Sequence, residues 1–259
     1  MQCDFFSLTD TGRVRQNNED TVALAPELGV AVLADGMGGY NAGEVASQLA
    51  SETVLHCLRQ TLLDGPTAPR GMRQALLDCV ATANLVVFES ALSNHEWRGM
   101  ATTLLVAVFG GARLTVAHVG DSRLYRLRQG QLSLLTRDHS LLQEQIDAGL
   151  VPPSLARSVQ YKNLVTRAVG VGDAVLADVG EHVVQPGDTY LLCSDGLNDM
   201  LSDGEIGQIL RREKPLRDAG HALLAEANAA GGRDNISLVL VQCSPGPVKP
   251  GLIARLTTP

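Results

Sequence analysis

Three aspartates in this 259-residue chain lie beside apolar runs, and each is followed by Gly or Asn. Asp35 follows Val30-Ala31-Val32-Leu33-Ala34 and leads into Gly36-Met37-Gly38-Gly39. Asp195 closes Tyr190-Leu191-Leu192-Cys193-Ser194 and precedes Gly196, and Asp234 precedes Asn235 and the run 236 to 241. A strand end is a rigid mount for a carboxylate, and a following Gly lets the backbone turn and expose its carbonyl. Three carboxylates drawn from distant parts of one chain suggest a site for hard divalent cations, which prefer oxygen ligands. The glycines at 36–43 also invite a nucleotide-loop reading. No Lys-Ser/Thr follows them, however, and position 41 is Asn rather than the third Gly of a dinucleotide loop. Asp35 would also repel a phosphate unless a cation lay between them.

Further chemistry lies nearby in sequence. Arg15 stands four residues before the adjacent carboxylates Glu19 and Asp20, and Arg suits bidentate clamping of a phosphate. Taken alone, that segment reads as a solvated polar loop. Asp121 follows another β-type run in His118-Val119-Gly120-Asp121-Ser122-Arg123, and Arg137-Asp138-His139-Ser140 comes shortly after. His56, His95, His118, His182 and His221 show no ligand-like spacing and read as structural.

The elements that must hold these groups are legible in outline. Residues 30–35 read as a buried strand, and 43–63 carry apolar residues at helical spacing. The segment 65–69 breaks that helix, and a second follows through Val87. Runs at 102–109, 114–119 and 124–127 are β-type, and Arg128-Gln129-Gly130-Gln131 is a hairpin turn into 132–135. Residues 140–149 read as helical, 152–162 as a mobile excursion, and Ser202 with Glu205 as a capping box. A last helix over 216–229 precedes the closing strand. The pattern is α+β, with helices packed on antiparallel sheets, in a single domain over 1–244. A loosely ordered tail is expected at 245–259.

Composition narrows the classes. A net charge of −7 argues against phosphate-backbone binding, so no nucleic-acid partner is expected. No stretch reads as approaching the ~20 apolar residues of a membrane span. No basic-then-apolar leader is visible at the start. Cys3, Cys57, Cys79, Cys193 and Cys243 are odd in number and widely spaced, and read as reduced core residues of a cytoplasmic protein.

The ordered pieces resemble the protein phosphatase 2C (PPM) family of metal-dependent Ser/Thr phosphatases, in its bacterial stand-alone form. The resemblance rests on Arg15 with Asn18-Glu19-Asp20, Asp35-Gly36-Met37-Gly38-Gly39, Gly99 to Thr103, Gly120-Asp121-Ser122-Arg123, Asp138-His139-Ser140, Leu164 to Gly170, Ser194-Asp195-Gly196 and Gly232-Arg233-Asp234-Asn235. It implies a four-layer α/β/β/α sandwich of two antiparallel sheets flanked by helix pairs. It also implies two Mn²⁺ or Mg²⁺ ions, with a weaker third. Asp35 would bridge two ions, helped by the Gly36 carbonyl. Asp195 and Asp234 would bind one side, and Asp121 with Asp195 the third ion. Glu19 and Asp20 would act through water, and Arg15 would grip the substrate phosphate.

The implied reaction is hydrolysis of phosphoserine and phosphothreonine by a water held between the metals, without a phosphoenzyme. Met37 stands where many eukaryotic relatives carry His, which leaves protonation of the leaving group to water. His139 is a weaker candidate for that role. The segment 141–165 corresponds to a flap that tunes substrate choice. The implied partners are phosphoproteins and a Ser/Thr kinase, in a setting such as cell-wall growth or type VI secretion, with the enzyme a monomer. The rival readings are a catalytically weak member serving as a regulatory module, and a phosphatase of anti-sigma-factor antagonists.

Overall fold

The computed structural model describes residues 1–38, 42–63, 69–152, 155 and 164–246. Gly39, most of the expected excursion at 152–162 and most of the expected tail lie outside the described residues.

Two antiparallel sheets face each other. The first has strand order β1 (Gln2–Asp10), β11 (Ile236–Ser244), β10 (Thr189–Cys193), β7 (Arg123–Arg128) and β8 (Gln131–Leu134). The second runs β2 (Asp20–Ala25), β3 (Val30–Met37), β5 (Leu104–Gly110), β6 (Arg113–Val119) and β9 (Asp178–Val183), with β4 (Ala101–Thr102) paired to β3. Alternation along each strand sorts its side chains into different layers. On β3, Ala31 and Leu33 join Tyr190, Leu192, Val239 and Val241 between the sheets. Val30, Val32 and Ala34 face outward onto α1 (Ala42–Leu63) and α2 (Pro69–Ser93). On the other flank, Leu191, Leu238 and Leu240 meet Ile206 and Leu210 of α5 (Asp203–Arg212) and Leu223 of α6 (Leu216–Ala229). The result is the four-layer helix–sheet–sheet–helix sandwich, with α3 (Leu141–Asp147) and α4 (Asp195–Asn198) as short additions.

Local sequence explains several boundaries. Ser202 and Glu205 form the capping box of α5. The β7–β8 hairpin turns through Gln129 and Gly130, both at positive φ, which matches the twist of the flanking strands. Three expectations need correction. Asp35 does not end its strand: β3 continues through Gly36 and Met37, which pair with Thr102 and Ala101. Cys57 and Cys79 are not free thiols but a disulfide joining α1 to α2, with Cα atoms 5.7 Å apart. Their separation of 22 residues gave no hint of this, because the helical hairpin brings them together. Cys193 and Cys243 are buried thiols as expected, and Cys3 is only partly buried. Finally, Gly71–Ser93 is long and apolar enough to cross a membrane on length and composition alone. Its apolar character goes into core packing, through Leu76, Cys79, Val80, Ala83 and Val87 against α1 and the second sheet.

Candidate metal and phosphate centre

At one end of the sandwich, a cavity of about 250 Å³ is lined by Arg15, Glu19, Asp35, Gly36, Asp121, Asp195, Asp234 and Asn235, among others. Every site residue expected from the sequence lines it except Asp20, which lies directly across the β2–β3 ladder from Asp35.

The scaffold fixes each carboxylate through its backbone. Asp35 is held by the Gly99–Thr103 motif: its N–H donates to Thr103 Oγ1 at 2.9 Å, and its carbonyl accepts from Thr103 N–H (2.8 Å) and Thr102 Oγ1 (2.9 Å). Gly36 must be glycine, because a Cβ there would collide with the Gly43 carbonyl and lie 2.6 Å from the Glu19 carbonyl oxygen. Asp195 opens α4 directly after β10, with Ser194 N–H bonded to the Ser237 carbonyl of β11. Asp121 follows β6 through Gly120, whose φ of 103° suits glycine. The Asp138-His139-Ser140 segment is scaffold. Asp138 takes a bidentate grip from Arg123 (3.0 and 2.7 Å), and Ser140 caps α3 through Gln143 N–H.

The electrostatics point to missing positive charge. Burial, and then the neighbouring carboxylates Asp20, Asp195, Asp121 and Asp234, push the Asp35 carboxyl well above its usual range. Burial and then Asp121, Asp199 and Asp234 do the same to Asp195. Burial and Asp138 raise Asp121 to about 7. Burial raises Asp20 to about 6 against the opposing bonds from Ser237 and Ser194, and Glu19 is also raised by burial. Asp20 Oδ1 is buried without a hydrogen-bond partner. Buried like charges are tolerated when cations neutralise them, and an all-oxygen donor set suits Mg²⁺ or Mn²⁺. The residues therefore fit the implied metals. Arg15 is the cation at the rim, 2.7 Å from Asp234 Oδ2.

The structure also tests a second cluster. His118, His139 and Asp178 approach one another closely enough to suggest a metal site, which their sequence spacing did not. Their hydrogen bonds argue against it. His139 Nδ1 accepts from Gly120 N–H at 3.2 Å, so the proton sits on Nε2, which faces Asp178 Oδ2 at 3.3 Å. His139 thus has no lone pair free for a metal, and Arg167 stands 3.3 Å from the same Nε2. The structural reading holds for His118, and both nitrogens of His139 are committed to scaffold contacts rather than to a leaving group.

A larger cavity of about 400 Å³ adjoins the centre, sharing Asp121 and Asp195 with it. Its walls come from α3 (Leu142, Gln143, Ile146) and from 198–204. The described ends of the expected flap are pinned together by Leu141 N–H on the Leu164 carbonyl and by the Ser140–Val165 bridge. Sequence reasoning missed Asn235 and Ser194 as side chains that brace the centre, the first bonded to Thr11, Asn17 and Glu19 and the second to Asp20. Asn235 followed a conspicuous Asp, and Ser194 looked like one more strand residue.

The family model for protein phosphatase 2C matches residues 10–237 of this chain. The serine/threonine phosphatase stp of Listeria monocytogenes is 35% identical over 239 residues, covering 90% of this chain and 93% of that protein. The catalytic domain of the serine/threonine protein phosphatase PstP, solved with two manganese ions, superposes with a TM-score of 0.84 at 34% identity. That match covers 94% of this chain and 99% of PstP's catalytic domain. PppA, described as a key regulatory component of type VI secretion in Pseudomonas aeruginosa, superposes with a TM-score of 0.79 at 34% identity. It covers 93% and 98% of the two chains.

Proposed function

The chain belongs to the protein phosphatase 2C family and is a metal-dependent protein serine/threonine phosphatase acting on phosphoproteins, and on that premise we propose a role for each side chain of the centre. Asp35, with the Gly36 carbonyl beside it, would hold two divalent cations together with Asp195 and Asp234. Asp121 with Asp195 would serve a third ion, and Glu19 and Asp20 would act through water. The cations supply Lewis acidity and water activation at phosphorus. Arg15 orients the phosphate from the rim and balances its charge. Met37 has no proton to give the leaving alkoxide, which leaves that role to a water at the centre.

The observation that carries this reading is the convergence, in one cavity, of Asp35, Asp121 and Asp195, all displaced upward in pKa, with Asp234 and Glu19 beside them and, among the described residues lining it, one arginine, Arg15. The test is hydrolysis of a phosphothreonine peptide with Mn²⁺ and with EDTA, alongside calorimetric Mn²⁺ binding. Asp234→Asn should lose both activity and a binding step. Retained activity in EDTA, or an unchanged isotherm in the variant, rejects the ligand set.

The natural substrate is proposed to be a Ser/Thr kinase and its targets. The likeness to PppA supports type VI secretion as one setting, with cell-wall growth as the other. A quantitative survey of phosphothreonine sites in a deletion strain decides between them. The wall built by α3 supports a part for the segment 141–165 in substrate choice. Deleting that segment should change the ranking of protein substrates while leaving a small aryl phosphate unaffected. An unchanged ranking removes that role.

A further inference from the structure

We infer that Asn235 is the positioning residue for Arg15: one buried amide staples the two ends of the loop that carries the arginine. This inference rests on the proposed phosphate grip of Arg15. Asn235 is buried and adjoins Asp234. Its Nδ2 donates to the Thr11 carbonyl at 3.0 Å and to the Asn17 carbonyl at 2.9 Å. Its Oδ1 accepts from Glu19 N–H at 2.8 Å. Both amide protons and the carbonyl are thus used, across sequence separations of 216, 218 and 224 residues.

The loop from 11 to 19 contains no helix or strand. Its other ties flank the same base: Arg13 N–H on the Gly232 carbonyl at 2.7 Å, and Asn18 Nδ2 on Thr9 Oγ1 at 2.7 Å. Gly12 has a φ of 80°, and a Cβ there would lie 2.7 Å from the Gly232 oxygen, so the loop lies hard against 232–235. Arg15 sits midway between the stapled ends with its side chain 54% exposed. A long side chain on a coil can orient a phosphate reproducibly only if its backbone is fixed. One dipeptide therefore offers a carboxylate to the metals and fixes the group that meets the phosphate.

The test is a double-mutant cycle on the Mn²⁺-loaded protein, reading the inhibition constant of inorganic phosphate against a phosphothreonine peptide. Asn235→Asp keeps the acceptor for Glu19 N–H and loses both donors. It should weaken phosphate about tenfold or more, the scale of a displaced binding group. In an Arg15→Ala background the same change should cost less than about twofold. The Mn²⁺ dissociation constant measured by calorimetry should stay within about threefold of the parent. If Asn235→Asp does not fold, Asn235→Ala takes its place in the cycle. Unchanged phosphate inhibition, an equal loss with and without Arg15, or a parallel loss of Mn²⁺ affinity overturns the inference. If Arg15→Ala itself leaves phosphate inhibition unchanged, the grip reading falls and takes this one with it. If Arg15→Ala weakens phosphate while the Asn235 variants do not, only the present inference falls.

Discussion

Strand β10 has an aspartate beyond each end, and the protein treats the two oppositely. Asp188, before Thr189, is 1% exposed and fully served. Arg128 grips it at 2.7 and 2.6 Å, Gln185 N–H donates at 2.8 Å and Tyr190 Oη–H at 3.0 Å. Although burial opposes it, those bonds hold the Asp188 carboxyl below its usual range. Asp195, just past Cys193, is half-buried, and desolvation followed by the charges of Asp121, Asp199 and Asp234 holds its carboxyl well above that range. The same strand thus carries a carboxylate that stabilises the fold and one that loads it with repulsion. A fold able to build the first arrangement was not forced into the second. The repulsion marks the place where charge is to arrive from outside the chain.

The largest expected effect separates the two ends by activity. Asp35→Asn should lower kcat/KM by about a thousandfold while leaving the Tm of the metal-free protein unchanged or higher, because one repulsive charge is gone. A variant with parental kcat/KM erases the contrast. At the other end, Arg128→Ala strands Asp188 and should cost about 3 kcal/mol in denaturant unfolding, the scale for breaking a buried pair. Its kcat/KM when folded should be near parental. A stable but inactive Arg128→Ala would mean that the two ends are not independent.

The pH dependence should carry opposite signs. Asp20 and Asp121, raised to about 6 and about 7, bind protons more tightly folded than unfolded. The stability contributed by those protons is present below the unfolded carboxyl value of roughly 4 and is lost as pH rises through 6 and 7. In EDTA the Tm should therefore fall from pH 5 to 8, and Mn²⁺, which replaces the protons, should widen its advantage over the same window. Asp188, lowered, contributes stability above its unfolded value and loses it as pH falls through its folded one. A Tm in EDTA that rises across pH 5 to 8 contradicts the first half. The smallest effect is at Ser194, whose Oγ–H donates to Asp20 Oδ2 at 2.8 Å. Ser194→Ala should cost about 1 kcal/mol in EDTA and less with Mn²⁺ bound, and equal losses would show that the cation does not relieve Asp20.

Much of this contrast was legible in one end and invisible in the other. Asp35, Asp121, Asp195 and Asp234 stood out because each sits beside an apolar run and a turn-forming residue. Helix α6 and the capping box of α5 follow from spacing and cap chemistry. Strand β1 did not, because its two faces are almost equally half-buried and the sequence shows no clean alternation. Asp188 was silent for another reason. Its meaning lies in Arg128, 60 residues away, and no local pattern announces a partner that only the β7–β10 ladder delivers. The same holds for the Asn235 staple and the Cys57–Cys79 bridge.

Strands β1 and β11 pair along their full length, Gln2 with Ser244 through Asp10 with Ile236. Arg15, Glu19 and Asp20 follow the first strand and Asp234 stands two residues before the second, so the centre closes only where the two ends of the domain meet. During synthesis, every earlier element can emerge and begin to collapse while the Arg15 loop still lacks the Asn235 amide and the cavity still lacks Asp234. A ribosome-bound chain stopped before β11 is therefore expected to be silent toward phosphoproteins, and a C-terminal deletion into that strand should behave as a null rather than as a weakened enzyme. Contacts of such long sequence separation also form slowly, which makes the appearance of activity a late event in the life of each molecule.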